Sequence, residues 1–325
     1  MSRPLLEIKD LHIGIVRRHG NDEIVRGVDI AVGPGEKLGI VGESGSGKTL
    51  TMLAVLRLLA SPPLAVLRGE ILLDGEDLAH VDDKRLRTVR GGEIAVVYQD
   101  PMSSLNPLMP VGRQVEEALK AHGATQGFAS ERTREVLRQV GLADPERVRV
   151  SYPHQLSGGM IQRVMIAMAL ATSPRVLIAD EPTTALDVTI QRQILELVSS
   201  LQATTGMAVL WVTHDLGVVA SLVDYVAVMY AGRVVEKATT SQLFERPTHP
   251  YTKALLASLP GKDSAHRSRL HQIGGTPPDP TRLGVGCPFR VRCPYAEEKC
   301  AQEEPALLDR GRGSFAACWK DPSQW

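Results

Sequence analysis

Residues 38–49 read Leu-Gly-Ile-Val-Gly-Glu-Ser-Gly-Ser-Gly-Lys-Thr, and this stretch decides the fold. Its first four residues predict a short apolar strand, and its last eight fit the pattern G-x-x-x-x-G-K-[ST]. The residues from Thr49 to Leu59 predict a helix. A glycine-rich turn between a strand and a helix directs backbone N–H groups and the positive end of the helix dipole at an anion. The stretch therefore predicts a phosphate-binding loop.

The side chains at the end of this phosphate loop, residues 42–49, indicate a nucleotide bound with magnesium. Lys48 is expected to reach the β- and γ-phosphates, and the hydroxyl of Thr49 is expected to bind Mg²⁺. The other residues expected to contact the nucleotide are Gly42, Glu43, Ser44, Gly45, Ser46, Gly47 and Leu50. The alternative is a glycine-rich turn that binds nothing, which the flanking strand and helix disfavour.

Two carboxylates follow a second apolar strand, predicted at residues 176–179. Asp180, at the strand tip, can hold Mg²⁺ through water, and Glu181 can polarise a water molecule that attacks the γ-phosphate. An acidic turn on the surface is the alternative for such a pair on its own. Together with the phosphate loop, the pair predicts a site for nucleotide hydrolysis.

The charge and hydropathy of the chain exclude two broad classes of function. Its 325 residues carry 37 Lys and Arg against 37 Asp and Glu, so a chain-wide basic coat for nucleic acid is excluded. The sequence contains no stretch of about 20 apolar residues, so no membrane-spanning helix is expected. Because Glu7, Lys9 and Asp10 stand where a signal peptide needs an apolar core, the cytoplasm is the expected compartment.

Strands that alternate with helices predict an α/β fold with a parallel sheet core. Further strands are predicted at 94–97, 209–212 and 226–229, and helices at 111–120, 131–140 and 158–171. The helices predict a helical subdomain inserted at about 105–172. We expect residues 1–240 to form one domain and the proline-rich residues 241–325 to form an irregular extension.

A second turn of small residues, Leu156-Ser157-Gly158-Gly159-Met160, precedes a predicted helix. Such a turn at a helix N-terminus is another anion site by the same physics, although the alternative is a helix that Ser157 simply caps. Hydrolysis alone does not require a second phosphate site. The turn therefore indicates a site shared between two chains.

These motifs, taken in order, resemble those of the ATP-binding subunits of ABC transporters. The six matching elements are residues 42–49, Gln99, residues 156–160, Asp180-Glu181, Ala185-Leu186-Asp187 and His214. The resemblance covers essentially the whole chain. It implies the P-loop NTPase fold of an ABC ATPase, with a RecA-like mixed sheet core, an antiparallel β subdomain and the inserted helical subdomain.

The resemblance also implies a role for each element. Gln99 would approach Mg²⁺ and the attacking water, His214 would contact the γ-phosphate, and Glu181 would be the general base. Residues 157–160 would contact ATP bound to a partner subunit, and Asp187 would lie at the dimer seam. Two ATP molecules would then be held between two subunits, and hydrolysis would reopen the dimer and drive transport.

Residues 99–107, 213–220 and 249–252 resemble the oligopeptide, dipeptide and nickel importer branch of this family. Met160, where the general signature has Gln, is usual in that branch. The branch implies a second ATPase subunit that is a related but different chain, two transmembrane permease subunits and an extracytoplasmic substrate-binding protein. The chain would be a peripheral subunit on the cytoplasmic face of the inner membrane, with no nucleic-acid partner.

The region expected to hold adenine departs from the family pattern. These ATPases usually stack the base on an aromatic residue about 25 positions before the phosphate loop, but Tyr98 is the first aromatic residue of this chain. Ile15 could pack on the base, or Arg17, Arg18 or His19 could lie over it. No single residue is assigned to adenine.

The four cysteines, Cys287, Cys293, Cys300 and Cys318, all fall in the last 39 residues. Their spacing, C-x5-C-x6-C-x17-C, can hold a [4Fe–4S] cluster or a structural zinc ion. A cluster is favoured because the sequence lacks the C-x2-C pairs common in zinc sites, and because some members of the branch with this pattern bind one. Unligated thiols or disulfides are the remaining alternative.

Two other functions remain open at this point. The first is a soluble ABC ATPase in DNA repair or translation, although such proteins usually carry two ATPase units or a long coiled-coil insertion. The second is a binding or regulatory module in which the cysteine site matters most. The sequence favours the importer ATPase, with ATP and Mg²⁺ and with a cluster that stabilises the C-terminal extension.

Overall fold

The computed structural model describes residues 3–184, 186–259 and 273–324, and their contacts divide the chain into two units. The first unit contains residues 32–36 and 80–210, and the second contains residues 4–31, 37–79 and those from 211 onward. The predicted helical subdomain therefore lies in the first unit, and the phosphate loop lies in the second. The domain boundary expected near residue 240 stays a prediction.

The regular elements agree with an α/β fold. The strands are β1 (Leu6–Arg17), β2 (Gly20–Val32), β3 (Lys37–Val41), β4 (Leu64–Leu73), β5 (Glu76–Asp77), β6 (Ile94–Val97), β7 (Val176–Asp180), β8 (Ala208–Thr213), β9 (Tyr225–Tyr230), β10 (Arg233–Thr239), β11 (Leu308–Gly311) and β12 (Ser314–Ala316). The helices are α1 (Lys48–Val55), α2 (Asp83–Gly92), α3 (Pro101–Ser104), α4 (Val111–Ala121), α5 (Gln126–Gln139), α6 (Pro145–Val150), α7 (Gly158–Leu170), α8 (Val188–Thr205), α9 (Leu216–Leu222), α10 (Thr240–Glu245), α11 (Pro250–Ala257) and α12 (Glu298–Gln302). None of the helices in the described ranges is long and apolar enough to cross a membrane.

The second unit contains two sheets. One has the order β2-β1-β4-β5, in which β1 pairs antiparallel with β4. The other has the order β11-β12-β10-β9-β3-β8; β3 and β9 are parallel, while β10 is antiparallel to both β9 and β12. This mixture of parallel and antiparallel strands is the sheet type that the family resemblance implies.

In the first unit, β7 pairs in parallel with β6 and is followed in the sheet by the start of β8. Every residue of β7 and β8 is buried, and both strands are apolar up to their last residues, Asp180 and Thr213, instead of alternating. Each fully buried Val, Leu or Ile side chain contributes about 1.5–3 kcal/mol. Strong burial therefore fixes the strand ends, where the polar residues of the site begin.

The observed elements lie within two residues of the predicted strands but differ at two helices. Helix α5 begins at Gln126, five residues before the predicted start. Helix α1 ends at Val55 instead of Leu59, because Arg57 adopts a left-handed backbone with φ 52°. The N–H groups of Arg57 and Leu58 donate to the carbonyls of Ala54 and Leu53, which is the hydrogen-bond pattern of a Schellman C-cap.

A tight turn between β9 and β10 supports the phosphate loop. Its two residues, Ala231 and Gly232, have φ values of 47° and 82°, as two-residue hairpins with right-handed twist require. The N–H of Gly232 donates to the carbonyl of Ser46 at 3.1 Å, and its carbonyl accepts from the N–H of Arg26 at 2.8 Å. A Cβ atom at Gly232 would overlap the carbonyl oxygen of Ile24. Only glycine therefore lets these backbones approach so closely.

We expect Gly232→Ala to destabilise the chain more than Gly313→Ala. Gly313 also has a left-handed φ, 78°, in the two-residue turn between β11 and β12, but its Cβ would meet nothing within 4 Å. The control should lose about 1–2 kcal/mol for the left-handed backbone alone. Gly232→Ala should lose a further ~1–3 kcal/mol for the overlap, measured by denaturant unfolding. Equal losses would show that the close approach is not rigid.

Candidate functional site

The phosphate loop is held in a conformation that only glycine allows. Gly42 has φ 155°, and a Cβ there would overlap the carbonyl oxygen of Met229 and lie 2.9 Å from Oγ of Ser46. Gly45 and Gly47 have φ values of 80° and 98°. The loop therefore presses its backbone against β9 while Ser44 and Gly45 are exposed. This exposed side is where an anion can reach the backbone N–H groups.

Lys48 is the first residue of α1, and its side chain folds back over the loop. The residue is only 5% exposed, and its Nζ donates to the carbonyls of Gly42 at 2.8 Å and Glu43 at 3.0 Å. No side chain caps the N-terminus of α1. The loop therefore presents a buried ammonium group and an uncapped helix N-terminus together, as a phosphate site requires.

The predicted acidic pair lies at the end of β7. Asp180 is 7% exposed, whereas Glu181 follows it with a left-handed φ of 47°. Such a backbone costs a non-glycine residue about 1–2 kcal/mol, and strained residues of this kind cluster at functional sites. The backbone therefore leaves the extended path of β7 directly after Asp180.

Gln99 and Thr184 converge on one carboxylate oxygen of Glu181. Gln99 Nε2 donates to Oε2 of Glu181 at 3.4 Å, and Thr184 Oγ1 donates to the same oxygen at 3.1 Å. Gln99 and Glu181 were both predicted site residues, and the structure brings them together. Thr184 was missed, although a hydroxyl three residues after a candidate base is a signal that the sequence contains.

The Ser-Gly-Gly turn caps helix α7 and packs against α8. Ser157 accepts from the N–H of Met160 at 3.4 Å, so the capping alternative describes this contact. A Cβ on Gly159 would lie 3.0 Å from Cγ2 of Ile190, whereas one on Gly158 would meet nothing within 4 Å. Gly158 therefore leaves an open approach to the start of the helix.

Asp187 caps the neighbouring helix α8. Its carboxylate accepts from the N–H groups of Thr189 and Ile190, both at 3.0 Å, and the residue is exposed. The side chain of Ile190 also lies against Gly159, so this residue links the Asp187 cap to the Ser-Gly-Gly turn. Ala185, the other predicted element here, lies outside the described residues.

His214 follows β8 and is exposed. The next residue, Asp215, accepts from the N–H groups of Gly217 and Val218 and donates its own N–H to Oγ1 of Thr213. This network fixes the backbone on both sides of His214. The histidine is therefore placed at a strand end by a capped helix and not by burial of its own ring.

The region expected to hold adenine offers an apolar surface in the second unit. Ile15 is half-buried and Val16 is 51% exposed. Arg17 forms an ion pair with Asp22 at 2.6 Å. The residue that holds adenine stays unassigned.

The four cysteines line one pocket in the second unit, together with the cationic Arg290 and Lys320. All four are free thiols. Burial and the neighbouring thiols raise the pKa of Cys287 to about 11, and burial also raises the pKa of Cys293 and Cys318. Four soft sulfur donors around one pocket fit a cluster or zinc chemically. Within the described part of the chain, however, no three or more His, Cys, Asp or Glu side chains are placed to hold a metal ion.

Comparison with known proteins decides the family. Residues 25–184 match the ABC transporter family, and residues 235–300 match the oligopeptide/dipeptide transporter C-terminal region. The chain is 49% identical over 97% of its length to a probable peptide ABC transporter ATP-binding protein of Sinorhizobium fredii, 95% of which is covered. The chain belongs to the ATP-binding subunits of peptide ABC transporters. The family resemblance of the motifs is thereby confirmed, as is ATP hydrolysis coupled to transport.

Other relatives and solved structures agree with this assignment. The oligopeptide transport ATP-binding protein OppD of Bacillus subtilis is 48% identical over 97% of this chain and 88% of that protein. The structure of cbiO1 from Clostridium perfringens, described as part of an ABC transporter complex, aligns with a TM-score of 0.65 and 26% identity. It covers 76% of this chain and 93% of that one. The expected ABC ATPase fold is therefore confirmed.

We expect the capping role of Asp187 to be separable from its charge. Asp187→Ala should lose about 1 kcal/mol of unfolding free energy because two N–H groups lose their acceptor. Asp187→Asn keeps an acceptor oxygen and should stay within about 0.5 kcal/mol of the wild type. Thermal unfolding of the three chains checks this. If the Asn variant lost as much stability as the Ala variant, the helix would depend on the charge and not on the cap.

Proposed function

We propose that this ABC ATPase powers the import of dipeptides or oligopeptides through separate membrane subunits. The catalytic part rests on one observation: Gln99 and Thr184 both hydrogen-bond Oε2 of Glu181, at a left-handed turn beyond a buried strand. The substrate class rests on the peptide transporters among its relatives and on the match of residues 235–300. Nothing favours DNA repair or translation as a second function.

The proposed reaction is the hydrolysis of ATP to ADP and phosphate. Lys48 and the backbone of residues 42–50 bind the phosphates, while Thr49, Asp180 and Gln99 hold Mg²⁺, which neutralises phosphate charge when it is bound. Glu181 takes a proton from the attacking water, and the amide of Gln99 orients the carboxylate. His214 contacts the γ-phosphate. The burial of Asp180 at the end of β7 supports its part in this division of roles.

A second ATPase subunit completes the proposed site. Ser157, Gly158, Gly159 and Met160 contact the ATP bound to that partner, with Asp187 beside them at the dimer seam. The open approach above Gly158 and the exposure of Asp187 support this arrangement. We propose a related but different chain as the partner, two permease subunits in the membrane, and an extracytoplasmic substrate-binding protein that delivers the peptide. The chain lies as a peripheral subunit on the cytoplasmic face of the inner membrane.

We also propose that Cys287, Cys293, Cys300 and Cys318 ligate a [4Fe–4S] cluster, with structural zinc as the alternative. Their convergence on one pocket with Arg290 and Lys320 supports this, because cations nearby offset the charge of four thiolates. Since burial raises the pKa of Cys287 to about 11, ligation must release protons and should strengthen as the pH rises. The group would tie the C-terminal extension together.

We expect Glu181→Gln to lower ATP turnover by about 10²–10⁴-fold, because an amide cannot accept the proton of the attacking water. ATP should still bind, since the phosphate loop is unchanged. A matched control is Glu196→Gln, a glutamate of α8 whose side chain is 71% exposed. Phosphate release and nucleotide binding are measured on all three chains. Turnover like that of the wild type in Glu181→Gln would remove Glu181 from the role of base.

We expect anaerobically purified chain to contain about four iron and four sulfide per molecule. Each single Cys→Ser change at the four positions should lower this content. Metal analysis, acid-labile sulfide and visible absorbance measure it. One zinc per chain without sulfide would favour the zinc site, and no metal together with titratable thiols would contradict both.

A further inference from the structure

Glu43, the second residue of the phosphate loop, is held by two residues from far along the chain. Its N–H donates to Oη of Tyr251 at 2.9 Å. Arg292 donates to both carboxylate oxygens of Glu43, from Nη1 to Oε2 at 2.6 Å and from Nη2 to Oε1 at 2.9 Å. Backbone and side chain of the same loop residue are thus both fixed from outside the loop.

The ion pair between Arg292 and Glu43 is largely removed from solvent. The side chain of Arg292 is 4% exposed and that of Glu43 is 27% exposed. Arg292 also donates from Nε to the carbonyl of Gly274 at 3.0 Å and from Nη1 to Oη of Tyr230 at 3.4 Å. A bidentate pair with its guanidinium this fully bonded has one orientation.

Tyr251 is fixed as firmly as Arg292. The buried carboxylate of Glu236 accepts from the N–H groups of Thr248 and His249, at 2.6 and 2.9 Å. Nδ1 of His249 in turn accepts from the N–H of Tyr251 at 3.1 Å. Burial lowers the pKa of His249 to about 3, so its ring stays neutral and keeps this acceptor. Tyr251 therefore contacts the loop from a buried, hydrogen-bonded segment.

The segment that carries Arg292 is also the segment that carries the cysteines. Arg292 immediately precedes Cys293, and its N–H donates to the carbonyl of Phe289 at 2.9 Å. The ring of Phe289 packs against Tyr230 and Tyr251, with centroids 5.3 and 5.4 Å apart. A shift of the turn from Cys287 to Cys293 would therefore move Arg292 relative to the loop.

We propose that Arg292 is a positioning residue for the phosphate loop, and that it couples the four-cysteine pocket to nucleotide affinity. The loop contains three glycines, whose freedom must be lost when its N–H groups close on a phosphate. Holding Glu43 in advance removes part of that cost. The inference rests on the proposed function, since it requires that residues 42–49 bind ATP.

The first test compares Arg292→Gln, Arg292→Lys and wild type in the full chain. Arg292→Gln should raise the Kd for Mg²⁺-ADP about tenfold, in the usual range for coupling between two sites. Arg292→Lys keeps the charge but loses the bidentate geometry, so it should restore part of the affinity. The KM for ATP should rise in parallel while kcat changes less than about threefold. The Lys variant also covers the case in which the Gln variant does not fold.

The matched control is Glu304→Gln. Glu304 accepts from Arg26 at 2.9 and 3.0 Å and lies 3.2 Å from Arg233, so the variant breaks another ion pair of the C-terminal region without touching Glu43. It should lower the melting temperature yet leave the Kd unchanged. Folded Arg292 variants that bind nucleotide like the wild type would overturn the inference alone. A wild-type chain that binds no nucleotide would overturn the proposed function with it.

The second test asks whether the cysteines act through Arg292. Cys293→Ser should raise the Kd for Mg²⁺-ADP in the wild-type background. It should cause little further change in the Arg292→Gln background, because that chain has already lost the contact with Glu43 through which the cysteines would act. Equal effects in both backgrounds, or no effect in either, would overturn the coupling.

Discussion

The close approach of the phosphate loop to the turn between β9 and β10 is the constraint on which the site depends. Gly42 lies against the carbonyl of Met229, and Gly232 donates to the carbonyl of Ser46. Because Gly42 and Gly232 have no side chains, the backbones of the loop, of Met229 and of Ile24 can approach one another closely. The loop is therefore set by the parallel strands β3 and β9 and not by its own sequence alone.

The sequence predicted the central strands well because these strands are fully buried and are therefore apolar on both faces. A run such as residues 176–180, apolar up to its last residue, has no polar face to turn to water, so its strand and its end are both readable. Helix ends were harder. The stop at Val55 depends on the left-handed backbone of Arg57, a residue type that gives no signal for that conformation. The prediction placed the start of α5 too late, because the first residues of this helix are mostly exposed and give no apolar pattern.

The residues of the candidate site also differ in how far the sequence alone could predict them. Motif residues such as Lys48, Gln99 and Glu181 were predictable because phosphate chemistry requires particular groups at fixed spacing. Tyr251 and Arg292 were not, since each contacts the loop through a hydrogen bond that only the fold creates. Arg292 is separated from Glu43 by 249 residues, and one arginine among many carries no pattern. The structure also gave Asp187 a capping role that local sequence makes common.

The pairing of β12 with β10 has a consequence for how the chain is made. Glu236 and Lys237 of β10 lie opposite Ala316 and Phe315 of β12, so the outer side of β10 is covered by residues far later in the chain. A ribosome makes those residues long after β10. Until then, β10 presents an unpaired edge that could recruit strands from other chains. The length of chain between β10 and β12 thus sets how long the nascent subunit must be shielded from its neighbours.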